Sequence, residues 1–249
     1  MNTRTLAVAA ALSAAVLLSA GPLAHADEPV SAADLRAARA AATAQSTVDA
    51  VTDFLGDLRA RDGQNLGATS VTVQDGVVPV YTLAPEFVSG AQGAQPGRLA
   101  YLAVPATSGD GRTSTIQTVR GRDGRWEVGN LASGDQEFRL AANLPTGATL
   151  LHEPQVNAWY AGKGGELTVL DPGGSGRAAG ERLTVADYQR AVHQAYGDKQ
   201  RGSDYAAKGM AGGYAAQPDS GVPVLPLAGL AALALLGSVT FVVRSLRRG

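Results

Sequence analysis

The chain has no cysteine, and several kinds of chemistry are excluded with that residue. A disulfide framework, a thiolate nucleophile, a cysteine zinc site and a cysteine-held iron–sulfur cluster all require it. Histidine is scarce, with three copies in 249 residues, and aromatic residues make up only 5%. Charged residues make up 17%, with 21 basic and 22 acidic side chains, so the composition indicates neither a disordered acidic tail nor a nucleic-acid-binding protein.

The first 26 residues have the order of a secretory signal peptide. Arg4 supplies a positive charge, residues 6–20 form an apolar run, and Ala-His-Ala at 24–26 fits the small-x-small cleavage pattern. An apolar run of about 15 residues is shorter than the roughly 20 that a membrane span needs. We therefore expect cleavage between Ala26 and Asp27.

A second apolar segment lies near the C-terminus. Residues 222–243 carry no charge, and as a helix they would be about 33 Å long. Arg244, Arg247 and Arg248 follow directly, and such a cluster marks the cytoplasmic side of a span. The sequence predicts a single-pass protein of the cell membrane, with a cytoplasmic tail at 244–249 and most of the chain extracytoplasmic.

An alternative for this end is processing by a sortase. Residues 225–229 read Leu-Pro-Leu-Ala-Gly and resemble the five-residue sorting signal, which is also followed by apolar residues and a basic tail. The sorting pattern has threonine where this chain has Ala228. The apolar stretch from Leu230 to Val243 is also short for a span by itself. Mass spectrometry that finds Arg247 still attached would eliminate this alternative.

The segment between signal and span divides into a domain and a tether. Residues 27–221 hold all 22 acidic side chains and 17 of the 21 basic ones, so their net charge of −5 argues against polyanions, nucleic acid included, as partners. Residues 197–221 are rich in glycine, alanine and small polar residues, which predicts a flexible tether. The remaining residues 27–196 can form one domain with its own core.

The domain begins with a helical pattern. Ser31 and Asp34 stand in capping-box positions, and the following stretch is rich in alanine and arginine. An apolar stripe then follows at helical spacing, made of Val48, Val51, Phe54, Leu55 and Leu58. It predicts that the helix continues as a single long amphipathic helix and ends at residues 62–63.

After this helix, apolar and polar residues alternate with a period of two. Turn sequences separate short runs that predict strands: Val77–Leu83, Leu99–Val104, Thr113–Arg120, Arg125–Leu131, Gln136–Ala141, Thr149–His152, Val156–Ala161 and Glu166–Leu170. A loop at 171–180 precedes a closing helix with Thr184 as its cap and Val185, Tyr188, Val192 and Tyr196 as its buried stripe. The prediction is an α+β fold with a meandering antiparallel sheet.

Catalytic patterns are incomplete in this sequence. His152 opens His-Glu-Pro, which lacks the second histidine of a zinc helix, and His193 lies alone on the closing helix. Ser175 lies among glycines, but Arg177 stands where a nucleophile elbow needs glycine. Paired carboxylates could act as the acid and base of a glycosidase, and four lie on or beside predicted strands at separations that the sequence does not set: Glu127, Glu137, Glu153 and Glu166. We predict no catalytic residue, metal ligand or cofactor.

The most distinctive local run lies at residues 153–160. The predicted strand Val156–Ala161 would place Trp159 and Tyr160 on opposite faces, so that both cannot enter one core. One interpretation is that a helix covers the aromatic ring on the face away from the core. An exposed aromatic would instead make Glu153, Gln155, Trp159 and Tyr160 a binding edge.

The alanine-, glycine- and arginine-rich usage, signal peptide, tether and C-terminal span resemble surface proteins of high-GC actinobacteria. The amphipathic helix before strands, with a hairpin at 122–128, is similar to cystatin-like and nuclear-transport-factor-like domains. That resemblance implies a helix across a curved sheet, often with a pocket. Our first hypothesis is a non-catalytic module that binds another surface protein or the cell wall. The alternative is a small-molecule-binding protein or weak hydrolase with a pocket under the helix.

Overall fold

A computed structural model describes residues 29–64 and 69–199 of the chain. These residues form an α+β domain with a large, mostly antiparallel sheet and few helices. No helix in the described ranges is both long and apolar enough to cross a membrane. The predicted cleavage site at Ala26 and Asp27, the span at 222–243, and Arg244, Arg247 and Arg248 lie outside the described residues, as does all but the start of the predicted tether.

Five α-helices and nine strands make up the described domain. The helices are α1 Ala32–Thr43, α2 Gln45–Arg61, α3 Pro85–Val88, α4 Gln136–Ala141 and α5 Val185–Tyr196, and a 3-10 turn follows at Gly197–Lys199. The strands are β1 Val71–Val73, β2 Val78–Leu83, β3 Gly97–Ser108, β4 Thr113–Arg120, β5 Trp126–Ser133, β6 Thr149–Glu153, β7 Ala158–Lys163, β8 Glu166–Asp171 and β9 Arg182–Thr184.

The sheet consists of two antiparallel meanders joined by one parallel pair. Its strand order is β5-β4-β3-β2-β6-β7-β8-β9, and β1 pairs with the end of β3. At the centre β2 runs parallel to β6, from Val80 beside Leu150 to Thr82 beside His152. The antiparallel prediction is confirmed for both halves. The parallel pair was not predicted, because it joins strands far apart in the sequence.

Helices cover both faces of the sheet. Ala103 and Val104 are consecutive residues of β3 and so point to opposite faces. The face of Val104 packs against α1 and α2 in one half of the sheet, and against α3 and α5 in the other. The face of Ala103 packs against α4 and the residues just after it, including Leu144.

The predicted long helix is two helices. At Ala44 the backbone is extended, with φ −59° and ψ 139°, so the chain turns between α1 and α2. The Thr47 hydroxyl donates to the Ala41 carbonyl at 2.9 Å across this turn. Ala38 and Ala42 are fully buried, so the alanine-rich segment packs closely on the sheet and does not continue the line of α2.

The predicted strand at Gln136–Ala141 is wrong, because these residues form helix α4. Phe138 and Leu140 alternate with polar residues, which is typical of a strand, yet both pack on one sheet face together with Leu144. An Arg139–Asp135 ion pair spans one helical turn at 2.9 Å. Tertiary packing thus overrides the period-two pattern in this short segment.

Strand β7 begins at Ala158, two residues later than predicted. Val156 and Asn157 belong to a turn instead, where Asn157 has a φ of +50°.

The closing helix is confirmed as α5, and Thr184 accepts a hydrogen bond from the Asp187 backbone at 3.0 Å. Of its predicted buried stripe, Tyr188 and Val192 are buried, whereas Val185 and Tyr196 are partly exposed. The short elements β1, α3 and β9 were not predicted.

The capping box of α1 is also confirmed, and it leads to a stability prediction for Asp34. Its carboxylate accepts from the Ser31 backbone at 3.0 Å and from the Trp126 indole at 3.1 Å. The hydrogen bonds from Ser31, followed by that from Trp126, lower the pKa of Asp34 to about 2. We expect Asp34→Ala to destabilise the protein by about 1 kcal/mol at pH 7.

The pH dependence of this loss has a defined sign. Because the folded pKa lies below the unfolded value of about 3.9, ionised Asp34 stabilises the fold above pH 4 and loses that effect as the pH falls to about 2. Urea unfolding at pH 7 and at steps below pH 4 checks this. The control is Asp75→Ala, whose carboxylate is 98% exposed beside Arg39 and should change stability by less than about 0.5 kcal/mol. Equal effects of the two variants at pH 7 would contradict the prediction.

Candidate functional site

A groove of about 740 Å³ lies on the face of the sheet that α3 and α5 cover. It is lined by residues 93–97 and 162–167, by Thr149 and Leu151 of β6, and by the first turn of α5. Leu151 and Leu167 lie beneath the groove and are buried, with 2% and 1% of their surface exposed. Its volume lies within the range of roughly 300–1,000 Å³ found for ligand sites.

Two glycines on the strands beneath the groove leave its space free of side chains. A Cβ atom on Gly97 would lie 2.7 Å from Leu151 Cδ1, and one on Gly162 would lie 2.8 Å from Thr149 Oγ1. No larger side chain fits at either position without displacing a neighbour. The space above these strands therefore depends on the two glycines.

Gln189 fixes the wall of the groove next to α5. Its side-chain amide donates to the carbonyl oxygens of Phe87 at 3.2 Å and Ala91 at 2.9 Å. These bonds tie α5 to α3 and to the start of the segment that continues along the groove at 93–97. Two walls are thus held together by one side chain.

Beyond the groove, the same sheet face is filled by a cluster of three tyrosines around Glu153. Tyr160 and Tyr188 donate to Glu153 Oε2 at 2.8 and 2.9 Å, and Tyr196 donates to Oε1 at 2.8 Å. The carboxylate is buried, and no arginine, lysine or histidine forms an ion pair with it among the described residues. Three phenols therefore replace the water that a carboxylate normally keeps.

The electrostatics of this cluster keep the phenols protonated. Burial, followed by the interaction with Glu153, raises the pKa of Tyr160, Tyr188 and Tyr196 well above the usual value near 10. The hydroxyls thus remain hydrogen-bond donors across the physiological pH range. Since Tyr188 and Tyr196 belong to α5, the cluster fastens that helix to β6 and β7.

The residues predicted as a binding edge are separated by the sheet. Trp159 is 3% exposed and packs on the α4 face, whereas Tyr160 is fully buried on the α5 face. Glu153 is buried among the tyrosines, and Gln155 lies exposed in the turn before β7. The predicted binding edge depended on an exposed aromatic residue, and neither Trp159 nor Tyr160 is exposed. The two rings instead pack on opposite faces of the sheet.

Neither histidine of the domain contacts a nucleophile. His152 stacks on Trp159 with ring centroids 4.0 Å apart, and its Nε2 lies 3.1 Å from the Asn157 side-chain oxygen. Burial lowers the pKa of His152, so the ring is neutral at pH 7. His193 Nδ1 lies 2.9 Å from the Val88 carbonyl oxygen. Both rings have structural contacts, and neither lines the groove.

Ser175 and two of the candidate carboxylates also have structural hydrogen-bond partners. The Ser175 hydroxyl donates to the Pro172 carbonyl at 2.6 Å and closes its own loop. Glu137 is buried on the α4 face, where it accepts from Tyr101 at 3.0 Å and Thr115 at 3.1 Å. Because Glu153 lies on the other face of the sheet, these two buried carboxylates cannot flank one substrate. Glu127 and Glu166 are exposed.

Sequence reasoning missed the groove itself. Thr149 and Leu167 belong to predicted strands and Gly162 directly follows one, but their grouping depends on the register of β6, β7 and β8. Gly97 comes from the distant first half of the chain. A local signal was the glycine directly after the predicted strand Val156–Ala161, because glycine in or beside a strand is typical of a close approach of the backbone.

Comparison with known proteins adds no relative. No protein family, no curated protein and no solved structure matches this chain.

Proposed function

We propose that this chain is a single-pass membrane protein whose extracytoplasmic domain binds the cell wall without catalysing a reaction on it. The observation that carries the proposal is the groove beside α5, with a volume of about 740 Å³. Signal, tether and span come from the sequence alone. The cystatin-like resemblance adds only the expectation of a helix-covered sheet.

The groove lies apart from the end of α5. The first turn of α5 lines the groove, and the helix ends at Tyr196. Twelve helical residues separate these two ends by about 18 Å. The predicted tether therefore begins about 18 Å from this end of the groove.

A hydrolase is the less favoured reading of the same groove. His152, His193 and Ser175 are not among its lining residues, and each has a partner elsewhere in the fold. Nucleophilic catalysis needs a nucleophile and a base within hydrogen-bond reach of each other. A small-molecule-binding protein is compatible with the volume, and the experiment below distinguishes it from a wall-binding module.

We predict that the full-length chain in detergent micelles will sediment with purified cell-wall sacculi. Thr149→Trp should lower the bound fraction at least tenfold, because Thr149 is exposed on the groove side of β6 and an indole there fills the space. Centrifugation and immunoblotting measure the bound fraction.

The matched control is Thr72→Trp, which places the same side chain on exposed β1, away from the groove. It should sediment like the wild type, and both variants should keep the wild-type unfolding midpoint within a few degrees. A wild type that stays in the supernatant would overturn wall binding. Thr149→Trp that sediments normally would overturn the groove as the wall site.

A further inference from the structure

Helix α5 is the last α-helix of the described domain, and its two ends are held in different ways. At its N-terminal end, β9 pairs with β8, and the Val185 amide donates to the Gly165 carbonyl at 2.9 Å. After Tyr196 the described chain continues as the 3-10 turn at Gly197–Lys199. Backbone pairing therefore fixes the first turn of α5, whereas side-chain contacts fix its later turns.

Hydrogen bonds from side chains hold α5 on the domain. The α5 residues that make them to other elements are Tyr188, Gln189, His193 and Tyr196. The two tyrosines reach the Glu153 carboxylate, and the other two side chains reach backbone carbonyls of α3 and of Ala91. Of the twelve side chains of α5, the buried ones are Tyr188 and Val192. A segment with so few buried side chains is typical of a part of a protein that opens locally.

The rest of the core is independent of α5. Buried side chains of the described domain form three clusters, and α5 contributes buried residues to one of them. Val104 belongs to the cluster under α1 and α2, and Trp159 to the cluster on the α4 face. The strand pairs of the sheet also do not include α5. Detachment of this helix would therefore leave two clusters and the sheet in place.

We propose that α5 is a strap that opens and closes as a unit while the sheet stays folded, with its hinge at β9 and its latch at Glu153. Tyr196 is the latch contact at the C-terminal end of the helix, where its half-buried hydroxyl donates to Glu153 Oε1 at 2.8 Å. Opening uncovers Phe87 and Tyr160, whose ring centroids lie 5.9 and 5.0 Å from that of Tyr188. The strap thus controls access to aromatic surface that is closed in this structure.

Thiol labelling of the full-length chain in detergent micelles tests the proposal, because the chain has no cysteine of its own. Val192→Cys places a reporter on the buried face of α5, and Val104→Cys places a matched one under α1 and α2. In excess aromatic disulfide reagent without denaturant, we expect the Val192→Cys thiol to react at least about tenfold faster than the Val104→Cys thiol. Equal rates would overturn the proposal. Ala106→Cys is a second reporter in the α1 and α2 cluster.

A tyrosine variant on the other face separates local opening from unfolding of the whole domain. Tyr101→Phe removes the hydroxyl that donates to Glu137 at 3.0 Å, a bond that the open form keeps. It destabilises the closed and open forms equally against the unfolded chain. Labelling of Val104→Cys should therefore quicken at least about fivefold, and labelling of Val192→Cys by less than about twofold. Acceleration of both reporters by the same factor would show that α5 opens only when the domain unfolds.

Tyr196→Phe is the complementary variant, because it removes a hydrogen bond that only the closed form has. Closed α5 is then less stable against both the open form and the unfolded chain, so labelling of both reporters should quicken at least about threefold. Unchanged labelling of Val192→Cys in this variant would overturn Glu153 as the latch.

Discussion

Replacement of Glu153 by leucine is expected to destabilise the domain by about 2–6 kcal/mol. Leucine has a similar size but accepts no hydrogen bond, so the buried hydroxyls of Tyr160 and Tyr188 lose their acceptor. Each buried donor left without a partner costs about 1–3 kcal/mol. Tyr196 is only half-buried and regains a partner in water. Urea unfolding followed by tyrosine fluorescence or circular dichroism measures the loss.

The origin of this loss can be separated from packing by a combined variant. Glu153→Leu together with Tyr160→Phe and Tyr188→Phe removes acceptor and donors at once, and such paired removal is often nearly neutral. We expect the combination to be more stable than Glu153→Leu alone. Glu127→Leu is the matched control on an exposed strand position, with an expected effect below about 0.5 kcal/mol. Glu153→Leu within 0.5 kcal/mol of the wild type would show that the three hydrogen bonds do not hold α5 in place.

The same cluster shows which part of a site a sequence can predict. Tyr188 and Tyr196 lie on the predicted buried stripe of α5, and their positions follow from helical spacing within twelve residues. Strand alternation also predicts that Trp159 and Tyr160 lie on opposite faces of the sheet, and the structure confirms this. What joins Glu153 to Tyr188 is the packing of α5 on β6, and no local pattern encodes that contact.

Errors in the predicted elements have the same physical origin. The capping signals at Ser31 and Thr184 are local, and both helix starts are confirmed. Residues 136–141 alternate in polarity over only six positions, and a six-residue pattern does not distinguish a strand from a short helix that packs Phe138 against a sheet. The parallel β2–β6 pair and the groove beside it join segments about 70 residues apart, and so required the fold itself.

A backbone contact at Gly173 gives the second large effect. Gly173 has a φ of +46°, and a Cβ atom there would lie 2.3 Å from the carbonyl oxygens of both Val156 and Asn157. The next residue, Gly174, donates its amide to the Val156 oxygen at 2.6 Å. The loop after β8 is therefore pressed directly against the turn before β7, and neither backbone can give way without breaking this contact.

Gly173→Ala is expected to destabilise the domain by about 2–5 kcal/mol, since left-handed backbone costs about 1–2 kcal/mol and forced overpacking about 1–3 kcal/mol. The matched control is Gly176→Ala in the same loop, where φ is +72° but nothing lies within 4 Å of the added atom. That variant carries only the conformational cost of about 1–2 kcal/mol. Urea unfolding of both variants isolates the steric part as their difference, and equal losses would mean that the loop moves away freely. Because the turn begins directly after Glu153, amide exchange at Tyr160 and Tyr188 should also quicken in Gly173→Ala and remain unchanged in Gly176→Ala.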